Sequence, residues 1–107
     1  WQLDGFAGRL ASARAACAAA RILVYQALDD RVKARPDDLS VSLSRVAIVR
    51  CERLVAELAL DLDGEESLVV GSIGHGQIKT SMIAGLGGGS AEVQLNLISR
   101  ILLGSAR

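Results

Sequence analysis

The chain has 107 residues, of which 50% are hydrophobic and 3% aromatic, with 12 Lys and Arg against 12 Asp and Glu. This length suits one domain with one core, which must be built from Leu, Val, Ile and Ala. Zero net charge excludes a general electrostatic attraction to nucleic acid or to an anionic membrane. The balanced charge and the positive mean hydropathy of +0.34 favour an apolar surface that a partner covers.

The sequence shows no signal-peptide pattern and no run of about 18 apolar residues that could span a membrane. We therefore expect a cytoplasmic protein that does not insert into membranes. Because the chain begins at Trp1 rather than Met, we expect it to be part of a longer polypeptide, in which residues 1–107 form one helical domain.

The first segment, from residue 3 to about 33, is predicted to be a long helix. Its centre is rich in alanine, the strongest helix former. Apolar residues recur every three or four positions at Leu3, Phe6, Leu10, Ala13, Cys17, Ala20, Val24 and Leu28. Pro36 ends this segment, and Asp37 or Asp38 can cap the next helix.

A second long helix is predicted from about Leu39 to Leu62. One apolar face contains Ala47, Cys51, Val55, Leu58 and Leu62. Each long helix thus carries one cysteine, Cys17 or Cys51. A disulfide between the helices and a pair of small buried thiols both fit this placement, and we favour the thiols.

The composition then changes to a polar turn, residues 61–67, followed by a glycine-containing stretch with a weaker helical pattern around Gln77 to Leu86. Residues 68–70 have the composition of a short strand, but such a strand would lack a partner. The acidic turn does not match a calcium loop, because its glycine is misplaced and Ser72 stands at the twelfth position. We interpret His75 as a loop histidine and predict no metal site.

The last helix is predicted to begin after Ser90, a good N-cap, with Glu92 in a first turn that favours negative charge. Gly104 is a typical C-terminal glycine. An apolar stripe lies between them and contains Val93, Leu97, Ile98, Ile101 and Leu102. The chain as a whole is predicted to be all-α, an antiparallel four-helix bundle with two long helices and two shorter ones.

Three glycines, Gly87 to Gly89, directly precede this last helix. Bare backbone at a helix amino end exposes N–H groups that can bind phosphate or another electron-rich atom. A flexible loop before a capped helix explains the same residues, and local chemistry slightly favours that interpretation. The run is not a P-loop, because no Gly-Lys-Ser/Thr follows it.

The tail nevertheless resembles the C-terminal signature of flavin-dependent acyl-CoA dehydrogenases. The matching positions are Gly89, Ser90, Glu92, Val93, Gln94, Asn96, Leu97, Ile98, Leu103 and Gly104. Residues 6–28 are similar to the helix that opens that family's C-terminal domain. The resemblance implies a four-helix bundle, FAD as cofactor, an acyl-CoA substrate, an electron-transfer acceptor protein and a homo- or hetero-oligomer formed through the bundle.

By position, the resemblance places Gly89 against the substrate thioester and Ser90, Ala91 and Glu92 against FAD. Many family members carry the catalytic glutamate immediately before that glycine, where this chain has Gly88. Glycine has no carboxylate, so no catalytic residue is assigned. Some members take the base from an upstream helix, and some actinobacterial sterol-degrading enzymes pair a base-bearing subunit with one that lacks it.

The family's glycine-rich FAD-contacting segment is also altered here, around residues 69–77. We therefore keep an alternative: a non-catalytic assembly module, or the base-lacking partner subunit of a heteromeric dehydrogenase. A third reading is an unrelated helical bundle with a chance tail. Under the leading hypothesis, the 107 residues alone should be inactive.

Overall fold

The computed structural model describes residues 3–35, 38–86 and 91–104. The all-α prediction is confirmed, with two long helices followed by two shorter ones. The helices are α1 (Leu3–Val32), α2 (Asp38–Asp63), α3 (Ile73–Leu86) and α4 (Ala91–Leu103), and a 3₁₀ helix (Gly64–Leu68) follows α2.

Helices α1 and α2 form an antiparallel pair. Three interactions join them at successive levels: Arg9 with Asp61, Cys17 with Cys51, and Asp30 with Ser40. Residue numbers rise along one helix as they fall along the other, so the two helices run in opposite directions. These ties cover most of the length of both helices.

Helix α2 lies at the centre of the fold, since α1, α3 and α4 all pack on it. The side chain of Gln77 on α3 donates a hydrogen bond of 2.6 Å to Glu52 of α2. Arg45 of α2 donates a hydrogen bond to the carbonyl oxygen of Ala84 on α3. These contacts make α2 and α3 antiparallel as well.

The predicted apolar stripes are buried at their small residues, and several of their large residues stay exposed. Ala13 and Ala20 of α1 are buried, whereas Leu10 and Leu28 are 42% and 53% exposed. Alanines at the helix contact let the two backbones approach, which leaves the bulkier side chains at the edge of the stripe. Leu62 of α2, predicted on the buried face, is 62% exposed and lies in the last turn of the helix.

Two buried residues, Val49 and Ala56, were absent from the predicted face of α2. At 100° per residue they lie close to Arg45 and Glu52 around the helix, on the side that contacts α3. The sequence stripe predicted one buried face, but the position of α2 between its neighbours gives it a second.

Cys17 and Cys51 form a disulfide, with their Cα atoms 5.2 Å apart. The expectation of two free thiols is therefore wrong. Ala13 and Ala20 lie one turn to either side of Cys17 and are both buried. Their small side chains let α1 approach α2 closely enough for the two cysteines to bond.

Helix α1 ends with a turn of residues 33–35, whereas Pro36, predicted to end this segment, lies outside the described residues. Ala34 has a φ of 53°, and Arg35 N–H donates to the Asp30 carbonyl at 2.7 Å. This is the hydrogen bond of a Schellman motif. Nearby, the hydrogen bond and the charge of Asp29 raise the pKa of Lys33.

At the far end of the chain, Gly104 has a φ of 65°, which confirms its predicted role in ending α4.

Helix α3 begins at Ile73, one turn before the predicted Gln77. The hydroxyl of Ser72 accepts a 3.1 Å hydrogen bond from His75 N–H, and Asp63 accepts one of 2.9 Å from Gly74 N–H. These two acceptors satisfy N–H groups of the first turn, which allows a glycine-containing sequence to start the helix. His75 is thus a helical residue, and its assignment to a loop is wrong.

The connection between α2 and α3 also differs from the sequence prediction. The predicted polar turn at 61–67 is the last turn of α2 followed by the 3₁₀ helix. The Ser67 hydroxyl donates to the Gly64 carbonyl at 2.6 Å and Ser67 is buried. Residues 68–70, weighed as a strand, end the 3₁₀ helix and enter an exposed turn.

Candidate functional site

The predicted site spans the link between α3 and α4. Gly88, Gly89 and Ser90 lie outside the described residues, so their predicted roles stay predictions. Ala91 and Glu92 are the first two residues of α4. Glu92 is exposed, so protein side chains do not bury this carboxylate.

The end of α3 fixes where this link starts. Arg45 is half-buried and its guanidinium donates to the carbonyl oxygen of Ala84, three residues before Gly87. Arg45 lies in the first third of α2, so the link leaves α3 near the end of the fold at which α2 begins. The sequence analysis did not single out Arg45, because no local pattern reveals a contact with a residue 39 positions away.

The start of α4 combines backbone hydrogen-bond donors with one carboxylate acceptor. The first turn of an α-helix presents backbone N–H groups that have no partner within the helix. Glu92 adds an exposed carboxylate at the same end, where the helix dipole favours negative charge. A carboxylate repels phosphate but accepts hydrogen bonds from hydroxyl or amino groups. The predicted contact of Ala91 and Glu92 with FAD stays a prediction.

A groove lies elsewhere, along α1 and the second half of α2. Its volume is about 670 Å³ and its lining is mainly apolar. The lining residues are Leu10, Ala13, Arg14, Cys17, Ala18, Arg21, Ile22, Val55, Leu58, Ala59 and Leu62. Val55 is ten residues from Arg45, about 15 Å along the helix at 1.5 Å per residue. The groove is therefore separate from the end of α3 that Arg45 contacts.

A smaller groove of about 430 Å³ lies between the same two helices. It is lined by residues that include Gly5, Gly8, Arg9, Arg50 and Glu57. Glu92 lines neither of these grooves. The structure thus does not join Glu92, a predicted cofactor-facing residue, to these cavities.

The described part of the chain has neither a metal-binding cluster nor a membrane-spanning helix. It contains no group of three or more His, Cys, Asp and Glu residues arranged to hold a metal ion. Asp63, in the acidic turn, is instead bonded to the first turn of α3. No described helix is both long and apolar enough to cross a membrane.

Large apolar side chains are exposed on every helix. On α1 they include Ile22 and Tyr25, and on α3 Met82 and Ile83. On α4 they include Leu102 and Leu103. Exposed apolar surface distributed over several helices is typical of a domain that packs against other domains or subunits.

A family model described as acyl-CoA dehydrogenase, C-terminal domain, matches residues 2–103. The chain belongs to this family. The match covers all four helices and the link that contains the glycines. Neither a curated protein nor a solved structure gives a significant match to the chain. In this acyl-CoA dehydrogenase domain, the position before Gly89 is occupied by Gly88, which offers no carboxylate.

Proposed function

We propose that this domain is the C-terminal part of a flavin-dependent enzyme that dehydrogenates an acyl-CoA thioester between its α and β carbons. The family match to residues 2–103 is the observation that carries the proposal. When bound, FAD would supply the acceptor for the hydride that leaves the β carbon. The role of this chain is to bind and orient, because it brings no base to the position before Gly89.

The link between α3 and α4 would do this binding. Gly89 has no side chain, so a thioester can approach its main chain. Ser90, Ala91 and Glu92 would face FAD from the first turn of α4. The exposed position of Glu92 supports this assignment, since a cofactor could reach its carboxylate without displacing protein side chains.

The proton at the α carbon must be transferred to a base that lies outside the glycine run of this chain. That base would come from another part of the full polypeptide or from a partner subunit. The exposed apolar side chains of α1, α3 and α4 support packing against such partners in a homo- or hetero-oligomer. We propose a cytoplasmic enzyme of lipid metabolism that passes its electrons to an acceptor protein and binds no nucleic acid.

A non-catalytic assembly module, or a base-lacking partner subunit, is the second candidate. Gly88 favours it, because the usual carboxylate is absent. The segment before α3 favours it as well, since residues 69–72 form an exposed turn leading to a capped helix without the family's glycine pattern. In this case the bundle would contribute surface to an oligomer whose other subunit performs proton transfer.

The test is to purify the full-length polypeptide and measure flavin absorbance and dye reduction with a panel of acyl-CoA thioesters. Bound flavin with acyl-CoA-dependent reduction supports the enzyme. Bound flavin and turnover only after co-purification with a base-bearing homologue support the partner subunit. If both preparations lacked bound flavin and showed no turnover, the flavoenzyme proposal would be overturned. Residues 1–107 alone provide the control and should be inactive.

A further inference from the structure

The disulfide joins the middles of the two longest helices. Cys17 lies halfway along α1 and Cys51 halfway along α2, 34 positions apart in sequence. Their Cα separation of 5.2 Å falls within the usual range for a disulfide. The buried alanines on either side of Cys17 also hold the helices close. The disulfide therefore joins the two helices where their backbones already pack closely.

Both cysteines are reachable from solvent. Each is partly exposed, and Cys17 lines the 670 Å³ groove beside α1. Arg14 and Arg21 line the same groove one turn to either side of Cys17. Their positive charge favours the approach of an anionic thiol or disulfide reagent to the sulfur of Cys17.

The disulfide matters most for α1. This helix packs chiefly on α2, whereas α3 contacts both α2 and the 3₁₀ helix. The buried α1 side chains at this contact, Ala13 and Ala20, are small. Small side chains remove little apolar area from water, so the covalent link adds to the packing and polar contacts that hold α1 on α2.

We propose that Cys17 and Cys51 form a reversible dithiol–disulfide switch that fastens α1 to α2. In reduction, the thiolate of a low-molecular-weight thiol attacks the sulfur of Cys17 from the groove. The Cys17–Cys51 bond breaks, and Cys51 leaves as a thiolate that takes a proton from water. A second thiol resolves the mixed disulfide, so the protein gains two electrons and two protons while two reagent thiols become one disulfide. A low-molecular-weight disulfide drives the reverse reaction.

The predicted cytoplasmic location is consistent with a reversible disulfide. Disulfides in reducing compartments are mostly transient and redox-sensing rather than structural. Loosening α1 would expose the groove face of α2, including Val55 and Leu58, to solvent or to a partner. The oxidation state of Cys17 and Cys51 would thus set how firmly α1 is held against this face of α2.

The test equilibrates the full-length protein, folded and without air, in buffers with varied ratios of reduced to oxidised glutathione. Alkylation and mass spectrometry measure the fraction of linked Cys17 and Cys51, and hydrogen exchange measures protection of residues 3–32. We expect one reversible transition, approached equally from both sides. Backbone amides of α1 should exchange at least about tenfold faster in the reduced state.

The double variant Cys17→Ala, Cys51→Ala is the matched control. It should show the fast exchange of α1 in every buffer. A pair that never links in the most oxidising buffer would overturn the proposal, as would one that resists reduction until the protein unfolds. Equal protection of α1 in the two states would overturn it as well. Because these readouts use the unsubstituted protein, failure of the double variant to fold leaves the test intact.

Discussion

Arg45 of α2 donates a hydrogen bond to the backbone carbonyl oxygen of Ala84 in the last turn of α3. Carbonyl groups in the last turn of a helix lack partners within the helix, and a cation there also interacts favourably with the helix dipole. The contact anchors the end of α3 three residues before the glycine run. Arg45 is thus a positioning residue for the link that the proposed function assigns to substrate and FAD.

Replacing Arg45 with methionine tests this role, because methionine keeps much of the apolar stem and removes the donor. We expect a loss of about 1–3 kcal/mol in the free energy of unfolding, the usual cost of losing a charged hydrogen bond. In the full-length protein, flavin should also dissociate several-fold more readily. Urea unfolding and flavin fluorescence during titration measure the two effects.

Arg53→Met provides the matched control, since Arg53 is an exposed arginine on the same helix. It should change stability by less than about 0.5 kcal/mol and leave flavin binding unchanged. If the two variants behaved alike, the contact between Arg45 and Ala84 would have no role in positioning the link.

Gly89→Val tests the bare backbone itself. A β-branched side chain would occupy the space that the proposed function reserves for the thioester. We expect the Kd for an acyl-CoA or for flavin to rise at least about tenfold in the full-length protein, which corresponds to about 1.4 kcal/mol. The helical circular dichroism signal should be unchanged.

Gly8→Val is the control for Gly89→Val, because a Cβ atom at Gly8 in α1 meets nothing within 4 Å. It should leave ligand binding intact. Unaltered binding in Gly89→Val would show that the run is merely a linker between α3 and α4.

Glu92→Gln separates a cofactor contact from a catalytic base. Loss of a general base lowers kcat by about 10²- to 10⁴-fold. As a cofactor contact, Glu92 should instead affect flavin affinity by several-fold, with kcat nearly unchanged once flavin is saturating. Steady-state kinetics at two flavin concentrations distinguish these outcomes. Glu57→Gln, an exposed glutamate on α2, should alter neither quantity.

The sequence was sufficient for features encoded by local patterns. The alanine-rich spacing of α1 predicted its bounds to within one residue, and Gly104 predicted the end of α4. Both depend on backbone preferences of nearby residues, which a sequence displays directly. The family resemblance at residues 87–104 was confirmed by the family match, because its residue types stand at fixed spacing.

Features set by contacts between distant residues were missed. The start of α3 depends on Asp63, eleven residues before Gly74, and the disulfide depends on how closely α1 approaches α2. The burial of Val49 and Ala56 required knowing that α2 has neighbours on two sides. In the candidate site, Arg45 was overlooked for this reason. Glu92 was singled out because it lies within the tail signature, and its contact with FAD stays a prediction.

Gly74 provides the last prediction, since its lack of a side chain permits the packing that begins α3. An added Cβ would lie 2.7 Å from Oδ2 of Asp63 and 3.0 Å from Cβ of Ser67. Asp63 can rotate away, but that breaks its 2.9 Å hydrogen bond to Gly74 N–H, and Ser67 is buried. We therefore expect Gly74→Ala to destabilise the protein by about 1–3 kcal/mol despite the higher helix propensity of alanine.

Gly76→Ala is the opposite case on the same helix. It lies two residues further along α3 with open space around it, so alanine should stabilise the helix by up to about 1 kcal/mol. Thermal unfolding of the two variants beside the unsubstituted protein gives a difference in sign that propensity alone cannot produce. If both substitutions raised Tm, the contact of Gly74 with Asp63 and Ser67 would not be what starts α3 at Ile73, and Ser72 alone would have to account for the extra turn.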